Sequence, residues 1–209
     1  ESVGVGFMFA PAHHGAMKYA VGPRKELGMR TLFNVLGPLT NPANVRRQVL
    51  GVYDAALCEP LARALQQLGS SHALVLHSED GLDEISIATS THGVELKSGE
   101  LTPLRIDPSD YGHGFDSLEG LQVETADASA ALIQSAFAGD QEGASCKARA
   151  IIALNAGAGI YVSGGADNLA DGIARADEAL GSGAAAEKLA EFVSFTQTLS
   201  AQPEGGSSI

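Results

Sequence analysis

The sequence predicts an α/β protein: a parallel-rich central sheet flanked by helices, with a helical insert over residues 12–42. Three observations carry that expectation. QVLGVY, LCEPLARALQQLG and SHALVLHS follow one another as strand, helix and strand, an order that implies a crossover unit and two parallel strands with a helix on their face. From Asp127 onward the text is helical almost to the end. Between residues 13 and 42, short apolar helical pieces are broken by Gly-Pro and stopped by Asn-Pro.

Taken in order, ESVGVGFMFAP opens the chain with Gly alternating with apolar residues, so residues 3–9 read as a buried strand. Such a strand sits inside a sheet rather than at its origin. Together with the missing initial Met, this leads us to expect the later part of something longer. Pro11 precedes a helix from about His13 to Ala20, which Val21-Gly22-Pro23 breaks. Pro23 then suits the first turn of RKELG, because its missing N–H costs nothing there. TLFNVLG forms a third short helix ending at Gly37-Pro38.

After the crossover unit comes the polar DGLDE, where the second strand ends. ATSTHGVELKSGELTPLRID alternates around Ser98-Gly99 and predicts a hairpin. Four helices follow, in ASAALIQSAFAG, CKARAIIALNAGAGIYV, LADGIARADEAL and AAAEKLAEFVSFTQTL. Asp167 or Asn168 is placed to cap the third of these and Ser182 the fourth. AQPEGGSSI reads as a frayed tail. No internal repeat and no linker rich in Pro, Gly and Ser divides the chain.

With 209 residues and 44% hydrophobic content, the chain is long enough for a sizeable core. No apolar run approaches the roughly 20 residues that cross a bilayer, and no signal-like segment opens the sequence, so a cytoplasmic soluble protein is expected. Cys58 and Cys146 belong to no CxxC and are expected to be reduced, buried thiols. The net charge of −12 opposes nucleic-acid and membrane binding. That charge is unevenly spread. Six of the 13 Lys and Arg precede residue 49 with only Glu1 and Glu26 against them, leaving +4 there and −16 in the remainder. A small basic zone of this kind suits a small anion.

Arg24 is the first candidate in that zone. It follows a Gly-Pro turn at a helix start, where backbone amides already favour an anion, and its guanidinium can hold a carboxylate through two parallel hydrogen bonds. The plainer alternative is a solvated arginine paired with Glu26 or Glu1. His13 and His14 point about 100° apart on a helix, so they make no zinc pair. One of them can face a pocket or simply serve the helix terminus. Asp83 and Glu84, preceded by Glu79 and Asp80, form the second candidate. Two carboxylates about 4 Å apart repel by about 4 kcal/mol at an effective dielectric of 20. At a strand's carboxyl end the partner that would relieve this is Mg²⁺, which takes one or two carboxylates plus waters and phosphate oxygens. An acidic surface loop is the alternative. The glycines of GVGF and SGGADN match neither GxGxxG before a helix nor GxxxxGK[ST], and read as strand and helix-end residues.

FMFAPAHHGAMKYAVGPRKELGMRTLFNVLGPLTNPA, with DGLDE and LNAGAGIYVSGGADNLADGIARA in order behind it, closely resembles the anthranilate phosphoribosyltransferase family of tryptophan biosynthesis, from about residue 3 to 196. The resemblance implies a nucleoside phosphorylase/phosphoribosyltransferase-like fold. Residues 12–42 would belong to a small helical domain, and 1–11 with 43–209 to an α/β domain. It implies transfer of phosphoribose from 5-phosphoribosyl diphosphate to the amine of anthranilate with Mg²⁺, in a homodimer formed through the helical part. By the family's pattern Arg24 holds the anthranilate carboxylate, His14, Ala10, Pro11 and Gly37 line the same channel, and Asp83 and Glu84 bind the magnesium that carries the diphosphate. No residue is implied as a chemical acid or base. The family's GTGGD and KHGN segments do not occur here; they lie upstream of the matched region, which corresponds to the later, larger part of the family's chain. These 209 residues alone are expected to be inactive. A pyrimidine nucleoside phosphorylase, a non-catalytic nucleic-acid-binding paralogue of the same fold and a folded interaction module are the competing expectations.

Overall fold

Residues 2–8, 37, 39, 41, 43–140 and 142–200 are described by a computed structural model of the chain. Strand β1 (Arg47–Gly51) runs parallel to β2 (His72–Ser78), with Arg47 opposite His72 and Gly51 opposite Leu76. Helix α1 (Cys58–Gln67) crosses between them. Its buried residues Cys58, Leu61, Ala62 and Leu65 recur at the spacing of one helical face. They pack on Leu50, Val52, Ala73 and Val75 on one side of the sheet. The neighbouring β2 residues Leu74 and Leu76 point the other way, as period-two geometry requires. There they meet Ile85, Ile87 and Ile106 together with the helical residues Ala150, Leu154, Ala158 and Ile173. β2 is thus covered on both faces, which is why its sequence reads as continuous apolar text instead of alternating.

Strands β3 (Thr91–Lys97) and β4 (Glu100–Ile106) complete the sheet in the order β1-β2-β3-β4. Ser98 (φ 53°) and Gly99 (φ 84°) both adopt left-handed backbone, the geometry of a two-residue hairpin whose twist matches its strands. Pro103 lies in β4, at the edge of this sheet, where a missing N–H is tolerated. The expected parallel-rich sheet is not what the described strands form. One pair is parallel and two are antiparallel. The reason is local: β2 returns to β3 through a loop without a crossover helix, and a two-residue turn can only make β4 antiparallel.

The helical region follows the expected segments. α2 (Ala126–Ala138) starts at Thr125, whose hydroxyl accepts from the Ala128 N–H, and stops at the left-handed Gly139. α3 (Gly143–Ser163) ends at Gly164, and α4 (Leu169–Gly181) begins at Asn168, whose side chain accepts from the Asp171 N–H. SGGADN therefore serves as a helix stop followed by a cap. Ser182 closes α4, and it is the Gly183 carbonyl that accepts the Glu187 N–H in the first turn of α5 (Ala184–Ser200). Both cysteines are free; Cys58 is buried and its thiol is raised by that burial and then by Asp54, while Cys146 is half-buried.

The apolar opening does not form the expected strand. Residues 2–8 carry no ladder among the described residues, Gly4 turns the backbone into the left-handed region at φ 72°, and Phe7 is 76% exposed. A strand exists only where a neighbouring strand takes its N–H and C=O groups; here Val3 O accepts from the Lys188 ammonium (3.2 Å) instead, and no strand pairs with the segment among the described residues. The helical pieces expected between residues 13 and 36 and the tail from 201 lie outside the described residues, although Gly37 and Leu39 have helical backbone and Leu39 packs against the α1 side of the core.

α3 and α4 cross at a pair of glycines. A Cβ on Gly157 would lie 2.5 Å from the Ile173 Cα, and one on Gly172 would lie 2.3 Å from the Gly157 carbonyl oxygen. Gly159, two residues on, faces open space. Gly157→Ala is therefore expected to cost about 1–3 kcal/mol in denaturant unfolding. Gly159→Ala should be neutral or stabilising by about 0.5–1 kcal/mol, since helical Ala loses less entropy on folding. Equal effects at the two positions would contradict the close crossing.

Candidate active site

The carboxyl ends of β1 and β2 lie side by side, and the loop leaving β2 runs across them. Its first bend is closed by the main chain: the Gly81 N–H donates to Ser78 O (2.9 Å) and the Ser78 N–H to Leu82 O (3.0 Å). Gly81 takes φ 89° to make it. Beneath the bend, Ser78, Ser86 and Thr91 are buried. The Ser78 hydroxyl donates to Glu84 O at 2.6 Å and lies 2.5 Å from the Thr91 hydroxyl, while the Ser86 N–H reaches both oxygens at 3.2 Å. A hydroxyl has one proton, so once Ser78 donates to Glu84 its contact with Thr91 must be donated by Thr91. Every group in this knot is then satisfied.

A second anchor comes from α3. Asn155 accepts the Ile85 N–H on Oδ1 (2.9 Å) and donates from Nδ2 to Ile85 O (3.0 Å) and to Ile151 O of its own helix (2.9 Å). A third restriction is steric. A Cβ on Gly51, the last residue of β1, would fall 1.4 Å from the Asp83 carbonyl oxygen, so the loop rests directly on bare backbone.

The four acids of this loop are sorted by these contacts. Glu79 pairs with His92 at 2.7 Å. Asp80 accepts from the Ser86 hydroxyl (2.6 Å) and the Leu82 N–H (3.3 Å), so it holds the loop together. Asp83 and Glu84 remain: both are exposed, and among the described residues neither carboxylate has a hydrogen-bond or ion-pair partner. They sit at the rim of a concavity of about 420 Å³ whose wall includes Leu118, Leu121, Leu132 and Ile151. Against that wall the Glu84 carboxyl loses water, and this, followed by the charge of Asp83, raises it above its ordinary value.

Two adjacent carboxylates, crowded by each other and turned to solvent, suit a hard divalent cation. Oxygen donors are the right chemistry for Mg²⁺, and two of them leave room for waters and phosphate oxygens. No group of three or more potential metal-binding side chains occurs among the described residues. Of the other residues singled out in the sequence, Gly37 has helical backbone with open space where a Cβ would be. Arg24, His14, Ala10 and Pro11 lie outside the described residues. Sequence reasoning missed Gly51, Ser78, Thr91 and Asn155. A polar Asn in the middle of an otherwise apolar helical run was the one visible signal.

The chain has an α/β fold whose neighbouring parallel strands end beneath a locked acidic loop, the place where such folds bind their ligands. The chain belongs to the glycosyl transferase family, a/b domain, whose family model matches residues 1–186. It is 59% identical over 196 residues to the anthranilate phosphoribosyltransferase of Teredinibacter turnerae, covering 94% of this chain and 58% of that protein. It is 61% identical to the same-named protein of Saccharophagus degradans with the same coverage. Among solved structures, it is similar to anthranilate phosphoribosyltransferase from Thermus thermophilus, with a TM-score of 0.84 at 38% identity, over 94% of this chain and 57% of that one. The Saccharomyces cerevisiae enzyme in complex with 5-phosphoribosyl diphosphate and Mg matches with a TM-score of 0.76 at 28% identity, over 88% of this chain and 52% of that one. The chain thus spans about 58% of the length of these curated relatives.

The contact at Gly51 carries its own test. Gly51→Ala must push the Asp83 backbone off β1, and the expected cost is about 1–3 kcal/mol or more in denaturant unfolding. A loss within about 0.5 kcal/mol, the range of ordinary surface substitutions, would contradict the close approach.

Proposed function

We propose that this chain supplies the α/β part of an enzyme that transfers phosphoribose from 5-phosphoribosyl diphosphate to anthranilate. The observation that carries the proposal is the pair Asp83 and Glu84, without partners among the described residues, on a loop held from three sides at the carboxyl ends of β1 and β2. The names of the similar enzymes point to the same reaction.

In this reading the anthranilate nitrogen forms a bond to the anomeric carbon as the bond to diphosphate breaks. The electron pair of that bond leaves with diphosphate, and the amine gives up a proton to solvent. An aromatic amine already has a free lone pair, so the chain needs no strong base. Its task is to align the two substrates, a contribution worth up to several kcal/mol. Asp83 and Glu84 are the residues that would hold Mg²⁺. When bound, the ion neutralises charge growing on the diphosphate. Arg24 grips the carboxylate of anthranilate, and His14, Ala10, Pro11 and Gly37 line the channel that receives its ring.

The finer architecture belongs to the same proposal. Residues 12–42 form part of a small helical domain beside the α/β portion of 1–11 and 43–209, further parallel strands extend the sheet, and the enzyme pairs as a homodimer through the helical part. A cytoplasmic location goes with it; among the described residues no helix is long and apolar enough to cross a membrane. The charge of −12 speaks against nucleic acid as a partner.

In the complete natural polypeptide, Arg24→Ala should raise the KM for anthranilate about 10–100-fold, the worth of a charge-assisted hydrogen bond, and leave that for 5-phosphoribosyl diphosphate nearly unchanged. Equal effects on both substrates would remove the carboxylate role. Joint replacement Asp83→Asn and Glu84→Gln should lower kcat/KM by about a hundredfold or more and shift the Mg²⁺ titration. An unaltered metal requirement would discard the site.

A further inference from the structure

We propose that Asn155 is a positioning residue for the acidic pair: from α3 it fixes the peptide that follows Glu84 and so aims both carboxylates at one ion. The inference rests on the metal-binding role proposed for Asp83 and Glu84. Its basis is a single peptide unit. The carbonyl of Glu84 and the N–H of Ile85 are the two polar ends of one planar group, whose rotation would swing the Glu84 side chain. The Ser78 hydroxyl takes the carbonyl end at 2.6 Å, from β2. Asn155 Oδ1 takes the N–H end at 2.9 Å, from α3. Asn155 Nδ2 adds a bond to the next carbonyl, Ile85 O, at 3.0 Å. With one end alone, the plane could still tilt; held from two elements of the fold, it cannot.

The side chain is matched to the task. The position needs one acceptor and two donors within reach of Ile85 N, Ile85 O and Ile151 O, and an Asn amide offers that set. An Asp there would set a carboxylate oxygen against two carbonyl oxygens. An aliphatic residue would leave the buried main chain of Ile85 unpaired. Asn is also a poor residue for a helix interior, and three main-chain bonds explain its presence in the middle of α3 better than helix propensity does. Asp83 is held by the same means at one remove, because its carbonyl lies on Gly51 immediately before the clamped peptide.

The test compares Asn155→Ala and Asn155→Ser with the parent in the complete natural polypeptide. Mn²⁺ binding is measured by electron paramagnetic resonance in the presence of diphosphate, alongside steady-state kinetics. Side chains that orient a metal site from behind its ligands typically change affinity about 10–100-fold, and that weakening is expected for both variants. KM for anthranilate should stay within about twofold. Both are read on protein whose circular dichroism matches the parent; if the Ala variant does not fold, the Ser variant, too short to reach Ile85, carries the test. Folded variants that bind Mn²⁺ within about twofold of the parent, while Asp83→Asn with Glu84→Gln abolishes binding, would overturn the role of Asn155 and leave the metal site standing. Mn²⁺ binding that survives loss of both carboxylates would overturn the metal site and this inference together.

Discussion

A strand buried on both faces cannot hand the polar main chain of the loop that follows it to water, so neighbouring side chains must accept it. That constraint shapes the carboxyl end of β2. Ser78, Ser86 and Thr91 place hydroxyls and a backbone N–H where apolar residues would leave unpaired groups, and Asn155 completes the set from α3. The cost of burying polar atoms among Leu74, Leu76 and Leu154 is offset because each finds a partner. A loop tied in this way is rigid for a reason that can be traced atom by atom.

Rigidity bears directly on the role proposed for the two remaining carboxylates. Asp83 and Glu84 repel each other, and a flexible loop would relieve the repulsion by turning one of them away. Here the Glu84–Ile85 peptide is clamped and the Asp83 carbonyl rests on Gly51, so the main chain does not turn either residue away, and the cation proposed above would relieve the crowding at the rim. The other two acids of the loop cannot compete for it, since Glu79 is engaged by His92 and Asp80 by Ser86. Four acidic residues within six positions thus divide into two that maintain the loop and two that face outward.

Much of this was legible in the sequence, and the parts that were not share a physical cause. The β1–α1–β2 unit, the Ser98-Gly99 hairpin and the four later helices announced themselves through periodicity and caps, because those signals are local. The position of Asp83 and Glu84 after a strand was local too. The opening apolar segment misled because strand formation depends on a neighbour, which composition does not reveal, and Gly4 at φ 72° takes the backbone out of the extended region. The parallel-rich sheet was read from one crossover unit, and the described strands add two antiparallel pairs to its one parallel pair. The clamp was invisible for the same reason. Ser78 meets Thr91 across 13 positions and Asn155 meets Ile85 across 70, separations over which pattern carries no information.

In the proposed enzyme the tied loop presents Asp83 and Glu84 together to one divalent ion. A crystal structure of the complete natural polypeptide grown with Mg²⁺ and diphosphate tests it most directly. The account predicts an octahedral ion with oxygens of Asp83 and Glu84 in or bridged by water to its coordination shell, direct ligands lying about 2.0–2.1 Å from it, and the Glu84–Ile85 peptide unmoved. An ion bound away from both carboxylates, or a loop that must unfasten from Ser78 and Asn155 to reach it, would contradict the account.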